Sequence, residues 1–222
     1  MRYRALLTDY DGTLASHGRV EPSTVAALRR LRESGVRIVV VTGREVEDLL
    51  EVFPEAQACD RIVAENGGLL VRPATREIRM LAHAPSARFV AALRVRAIAP
   101  LSVGRVLVAT RAANEGAVRS VIRELDLPLV VSRNLDALMV LPRGVHKGRG
   151  ARAALRELGI EPTLSVAIGD AQNDEPLLRA GGLAVAVSSA LERVKRRAAL
   201  VTRGGAGEGV RELTERILAD DL

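Results

Sequence analysis

Residues 5–14, ALLTDYDGTL, constrain this chain more than any other stretch: an apolar run stops abruptly at two aspartates one residue apart, followed by Gly-Thr. A segment of Ala, Leu, Leu and Thr reads as a buried strand, which puts Asp9 at its carboxyl end, where an unpaired carboxylate is costly to desolvate. A cation is therefore expected beside it. Side chains two apart in extended backbone point the same way, so Asp9 and Asp11 can face one pocket, and Gly12 lets the chain turn away. Two like charges in one pocket either hold a proton between them or recruit a metal. Asp11-Gly12 alone is equally compatible with the turn of a β-hairpin. The rest of the chain decides between the two.

Pro22-Ser23-Thr24 opens a helix with Val25, Leu28 and Leu31 on one face, ended by Gly35. The β-branched run 36–41, interrupted only by Arg37, fits a strand buried on both faces and ends in Thr42-Gly43-Arg44. A short helix to Leu50, a strand over 61–64 and a turn at Glu65-Asn66-Gly67-Gly68 follow. From Pro73 to Pro142 the apolar runs shorten, with strands over 77–81, 105–109, 129–131 and 137–141 and helices over 86–98 and 114–125. The earlier pattern then resumes: a helix over 147–158 closed by Gly159, a buried strand over 164–168 ending in Gly169-Asp170-Ala171-Gln172-Asn173-Asp174, a strand over 183–187, a helix over 190–197, a strand over 199–202 and a last helix from Glu208. Strands alternating with helices are the signature of an α/β fold with a doubly wound, mostly parallel sheet. The interruption reads as a smaller α/β domain over 73–142, inserted into a core made of 1–72 and 143–222.

Composition excludes several classes. A chain of 222 residues that is 48% hydrophobic builds a proper core. No apolar stretch is long enough for a signal peptide or approaches the roughly 18 residues of a membrane span, so a cytoplasmic protein without membrane contact is expected. The single cysteine, Cys59, allows no intrachain disulfide and no cysteine-built metal site, and its expected role is packing. Net charge is +6, but with 2% aromatic residues and no tryptophan there is no stacking platform for nucleic acid, and none is expected as a partner. Of 33 basic residues 31 are Arg, leaving only Lys147 and Lys195 as lysines. A skew of that kind suggests codon bias, and it makes a surviving lysine informative where a compact ammonium is needed.

Three buried strands thus end in hydrophilic signatures at Asp9-Tyr10-Asp11, Thr42-Gly43-Arg44 and Asp170 to Asp174. Ligands of open parallel sheets bind outside the carboxyl ends of the strands, so these signals converge on one place. Asp9, Asp11, Asp170 and Asp174 offer hard oxygen ligands suited to Mg²⁺, while Thr42, the backbone N–H groups after it and Lys147 are phosphate-holding groups. Singly, Asp170 and Asp174 read equally well as helix-capping carboxylates, Thr42 as an N-cap and Lys147 as a surface charge. Together, DYDGTL, VVTGR, the lysine of HKG and GDAQND resemble, in order and spacing, the haloacid dehalogenase-like phosphatases of subclass IIB, which carry an α/β cap between the second and third motifs. The resemblance implies an aspartyl-phosphate mechanism with Asp9 as nucleophile and Asp11 as general acid and base. It makes Thr42 and Lys147 phosphate holders, joined by Gly43, Arg44 and Asn173, and it makes Asp170 a Mg²⁺ ligand with Asp9 and the Asp11 carbonyl, supported by Asp174.

The insert carries ten arginines (76, 79, 88, 94, 96, 105, 111, 119, 123 and 133) against five acids, a net of +5, and the remainder only +1. A cationic lid would hold a small anionic metabolite with a carboxylate besides its phosphate; solvated surface arginines are the other reading. The compact cap resembles archaeal-type phosphoglycolate phosphatases, so phosphoglycolate is the expected substrate. Phosphatases of sucrose, trehalose or mannosyl-3-phosphoglycerate phosphates share the motifs, as do phosphomannomutases, and receiver domains are the non-enzymatic alternative.

Overall fold

The computed structural model describes residues 2–134 and 136–222. The first part of the chain runs β1 (Ala5–Asp9), α1 (Pro22–Glu33), β2 (Arg37–Val41), α2 (Val46–Val52), β3 (Arg61–Ala64), β4 (Leu69–Arg72) and β5 (Glu77–Met80). The middle holds α3 (Ala87–Val95), β6 (Ser102–Val103), β7 (Val108–Arg111), α4 (Glu115–Glu124), β8 (Leu129–Asn134) and β9 (Ala137–Pro142). The last part is α5 (Lys147–Leu158), β10 (Ser165–Gly169), α6 (Glu175–Leu178), β11 (Leu183–Ala186), α7 (Glu192–Lys195), β12 (Leu200–Val201) and α8 (Ala206–Leu218).

Every residue of β1 and β10 is buried, as is all of β2 except Arg37, because helices cover both faces of the sheet they form. The larger sheet has the order β12-β11-β10-β1-β2-β3-β4-β5. Its first six strands are parallel, and β4 and β5 add an antiparallel edge. The chain leaves β1 toward β2 on one side and returns through β10 on the other, so the order reverses at β1. A crevice opens at such a switch point, outside the carboxyl ends of the strands, and Asp9 is the residue that reaches it.

The insert expected over 73–142 does not wholly separate from the core. Glu77–Met80 pairs antiparallel with β4, Val71 opposite Ile78, and so belongs to the larger sheet. Its broken apolar pattern marks a sheet edge with one solvated face: Ile78 packs inward while Glu77, Arg79 and Met80 are exposed. Arg79, with Arg61 and Arg72, reaches Glu157 on α5 and ties that edge to the helix. A second, antiparallel sheet of order β6-β7-β9-β8 follows. Phe89, Leu93, Val118 and Val121 of its two helices pack on one face, against Val108, Leu138 and Val140. The alternate residues Met139 and Leu141 join the core's hydrophobic cluster instead. This smaller sheet is therefore a cap whose second face looks at the crevice. Cys59 is buried as expected, and burial pushes its thiol up to about 12. Among the described residues no helix is long and apolar enough to cross a membrane.

Candidate active site

Asp9 emerges from β1 almost fully buried and meets the cation that its burial demands: Lys147 Nζ donates to Asp9 Oδ1 at 2.5 Å and to Asp174 Oδ1 at 2.6 Å. Lys147 is the first residue of α5, and the helix start is fixed by His146, whose Nδ1 accepts from Arg149 N at 3.2 Å. The other oxygen of Asp174 accepts from the backbone N–H groups of Asp170 (3.1 Å) and Ala171 (2.9 Å), which shapes the turn after β10. Thr13 Oγ1 donates to Asp170 Oδ1 at 3.0 Å. Gly12, at φ +80°, passes so close to this carboxylate that a Cβ there would lie 2.5 Å from Asp170 Oδ2.

Asp9, Asp170 and Asp174 offer oxygens within 4.8 Å of one another, against one ammonium. Burial, and next the Asp174 charge, hold the Asp9 carboxyl well above the usual carboxylate range, and the same two causes raise Asp170. Burial alone would lower the Lys147 ammonium, but Asp174 and Asp9 outweigh it and the group stays charged. The Asp9 and Asp170 carboxylates share this pocket with Asp174, three like charges gathered around one cation. An excess of negative charge on hard oxygens fits a divalent cation. Both oxygens of Asp174 already accept hydrogen bonds, so the atoms best placed to take a cation are on Asp9 and Asp170.

Asp11 lines the same cleft as Asp9, as their spacing implied, but its carboxylate stands outside the three-carboxylate cluster. Its oxygens accept a two-pronged pair from Arg44, Nε at 2.9 Å and Nη2 at 2.8 Å, and Arg44 Nη1 reaches Asp48 at 2.8 Å. The chain turns at Gly12 directly after Asp11, and the guanidinium gives this carboxylate a cation of its own. Between the two acids, Tyr10 points to the opposite side into the core. Its hydroxyl donates to Gly18 O at 3.0 Å, and mainly through burial its pKa rises to about 12.

The open space at the strand ends is a cleft of about 390 Å³. The core contributes Asp9, Asp11, Gly43, Arg44 and Lys147; the cap covers them with Leu107, Ala109, Ala137 and Met139, plus Asn134 and Asp136 as polar groups. Thr42 lies behind this surface, fully buried, with its hydroxyl accepting from Arg44 N at 3.1 Å. Asn173 faces a second cavity of about 460 Å³ that also takes in Asn66 and His146. Both amide atoms of Asn173 and the Oδ1 of Asn66 are buried there without a partner among the described residues. None of the ten cap arginines lines the Asp9 cleft. Arg96 pairs with Glu124, Arg105 with Glu47, and Arg119 and Arg133 share Glu115, so these four are engaged at the surface and not over the cleft. Thr13, His146 and Asn66 carry weight that the sequence did not signal.

A family model described as haloacid dehalogenase-like hydrolase matches residues 6–90 and 106–213. A protein of Methanothermobacter thermautotrophicus named phosphoglycolate phosphatase is 31% identical over 97% of this chain and 99% of its own length. A solved haloacid dehalogenase-like hydrolase from Bacteroides thetaiotaomicron superposes with a TM-score of 0.82 at 21% identity, over 97% of this chain and 99% of that one. A solved sugar phosphatase of subclass IIB superposes at 0.78 and 20% identity, over 96% and 98% of the two chains.

Proposed function

The chain belongs to the haloacid dehalogenase-like hydrolases, and from that premise we propose that it is a Mg²⁺-dependent phosphomonoesterase working through an aspartyl-phosphate on Asp9, with phosphoglycolate as its substrate. The observation that carries the reading is the buried Lys147 bridging Asp9 and Asp174 at the floor of a capped cleft. Few environments other than an anion-transfer site give a lysine a fully buried position between two carboxylates. Phosphoryl transfer needs little beyond positioning and charge neutralisation.

In this reading the free Asp9 oxygen attacks phosphorus, the P–O bond to the alcohol breaks, and protonated Asp11 delivers its proton to the leaving oxygen. Asp11 then takes a proton from water as that water attacks phosphorus, releasing phosphate and regenerating the Asp9 carboxylate. Asp9, Asp170 and the Asp11 carbonyl would hold the divalent cation, which would supply the positive charge that lets two anions approach. Lys147 and the Gly43-Arg44 stretch, with Thr42 buried behind it, would hold the phosphate oxygens, and Asp174 braces the loop carrying Asp170 through the Asp170 and Ala171 amides.

Phosphoglycolate is supported by the name of the Methanothermobacter relative and by the small cleft. A sugar phosphate is the second reading, because the cap lines the cleft with Asn134 and Asp136, groups that bond hydroxyls, and with no arginine for a carboxylate. Phosphate release from phosphoglycolate and a panel of sugar phosphates separates them. The expected result is turnover that requires Mg²⁺, is greatest on phosphoglycolate, and falls by about 10³-fold or more in Asp9→Asn. Retained turnover in Asp9→Asn overturns the mechanism; preference for a hexose phosphate overturns the substrate.

A further inference from the structure

The turn at Glu65–Gly67 has no part in the chemistry above, yet it is built with more constraint than a connection needs. Three consecutive residues sit in the left-handed region, Glu65 at φ +49°, Asn66 at +55° and Gly67 at +101°. Two of them are not glycine, a strained conformation that persists only where the surroundings hold it. The Glu65 carboxylate is 1% exposed, and among the described residues it forms no ion pair with a cationic side chain. Its partners are backbone N–H groups of the cap: Arg105 N at 2.9 Å on one oxygen, Val106 N at 2.6 Å and Leu107 N at 2.8 Å on the other. Gly104 clears the approach, since a Cβ there would lie 2.8 Å from the carboxylate.

The same turn reaches both phosphate-holding elements. Glu65 N donates to Arg44 O and Asn66 N to Thr42 O, each at 2.9 Å. Gly67 rests on the His146 carbonyl, where a Cβ would come within 2.2 Å, one residue before Lys147. On the cap side, Leu107 carries one of the captured amides and covers the cleft. The turn therefore joins the loop after β2 and the head of α5 through its backbone, and the covering face of the cap through the Glu65 carboxylate.

We propose that Glu65 is a positioning residue that tethers the cap through the 105–107 amides, so that the cleft has its shape only while this carboxylate is in place. Carboxylate-to-amide bonds are charge-assisted and set direction as well as distance, which a hydrophobic contact between cap and core would not. The role concerns the fit of the part of the substrate under the cap, not the phosphoryl group. The kinetic half of its test rests on the phosphatase reading; the exchange half does not.

The test uses the full chain with Glu65→Ala, Glu65→Gln and Gly104→Ala. Amide hydrogen exchange in 105–107 is expected to speed up about tenfold or more in Glu65→Ala and less in Glu65→Gln, which keeps one acceptor oxygen, while β1 and β10 stay protected. In the same variants KM for phosphoglycolate is expected to rise about fivefold or more, with kcat for p-nitrophenyl phosphate, a substrate with little use for the cap, within about twofold. Gly104→Ala pushes on the carboxylate from the cap side and should reproduce the pattern, which keeps the proposal testable if Glu65→Ala does not fold. Unchanged exchange in 105–107 overturns the tether, and faster exchange with wild-type KM overturns the positioning role. If the wild type turns over no phosphate ester, the function reading fails and the exchange result still decides the tether.

Discussion

Asp9 and Asp11 stand two residues apart on one loop, but the Asp9 side chain is 4% exposed against Lys147, whereas that of Asp11 is 38% exposed and shares Arg44 with Asp48. In the inner group two carboxylates and one ammonium are out of water, the third carboxylate, Asp170, is half-buried beside them, and each oxygen of Asp174 is fixed by a named donor. In the outer group the Arg44 fork can exchange one carboxylate for another at little cost, because water screens what it leaves behind. A nucleophile needs one orientation; a proton donor and acceptor must meet both the leaving group and solvent. Under the proposed mechanism the same strand end would serve both needs, with one acid inside the fold and the other at its mouth.

The sharpest way to break this contrast is Lys147→Met. It leaves buried carboxylates without their cation, so a loss of about 3–5 kcal/mol is expected in chemical denaturation, with activity lowered about 10³-fold or more. Asp11→Asn, on the outer side, is expected to cost about 10²- to 10⁴-fold in kcat but less than about 1 kcal/mol in stability. Equal stability losses in the two variants would erase the distinction. Asp170→Asn sharpens it from inside. The raised Asp9 and Asp170 carboxyls favour their protonated forms in the folded state, so their stabilising contribution to the metal-free protein is full below the ordinary carboxylate pKa and is lost as pH rises through the folded values. Removing one like charge should therefore raise the metal-free melting temperature at neutral pH while abolishing both turnover and the stabilisation that Mg²⁺ gives the wild type. Thermal scans with Mg²⁺ and with chelator measure both.

The inner group was legible because each member is chemically conspicuous where it stands. Asp9 and Asp170 end apolar strands, and Lys147 is one of two lysines among 33 basic residues. What could not be read is pairing. Composition counts ten arginines in 73–142 but does not say that Glu115 takes two of them or that Glu157 draws Arg79 to the core. Alternation in 77–80 signals a half-solvated strand without saying which sheet it joins. Glu65 is the extreme case, since its partners are backbone amides some forty positions away and no side chain advertises them. Asp11 was legible only in part: it lines the cleft with Asp9, but nothing in the two-residue spacing shows that its carboxylate pairs with Arg44.

The smallest effect tests whether the outer group is as loosely coupled as its exposure implies. Asp48 reaches Arg44 over one helical turn, with its own side chain 52% exposed. After Asp48→Ala the guanidinium keeps both bonds to Asp11, so the Asp11 carboxylate stays where it was. An exposed pair of this kind contributes about 0.2–1 kcal/mol and fades with salt. Stability is therefore expected to fall by less than about 0.5 kcal/mol, with kcat/KM within about threefold and its pH profile unmoved. A displaced profile would mean that Asp48 and Asp11 act together through Arg44, and the mouth of the site would then have to be treated as a three-residue network rather than as one ion pair with a dispensable neighbour.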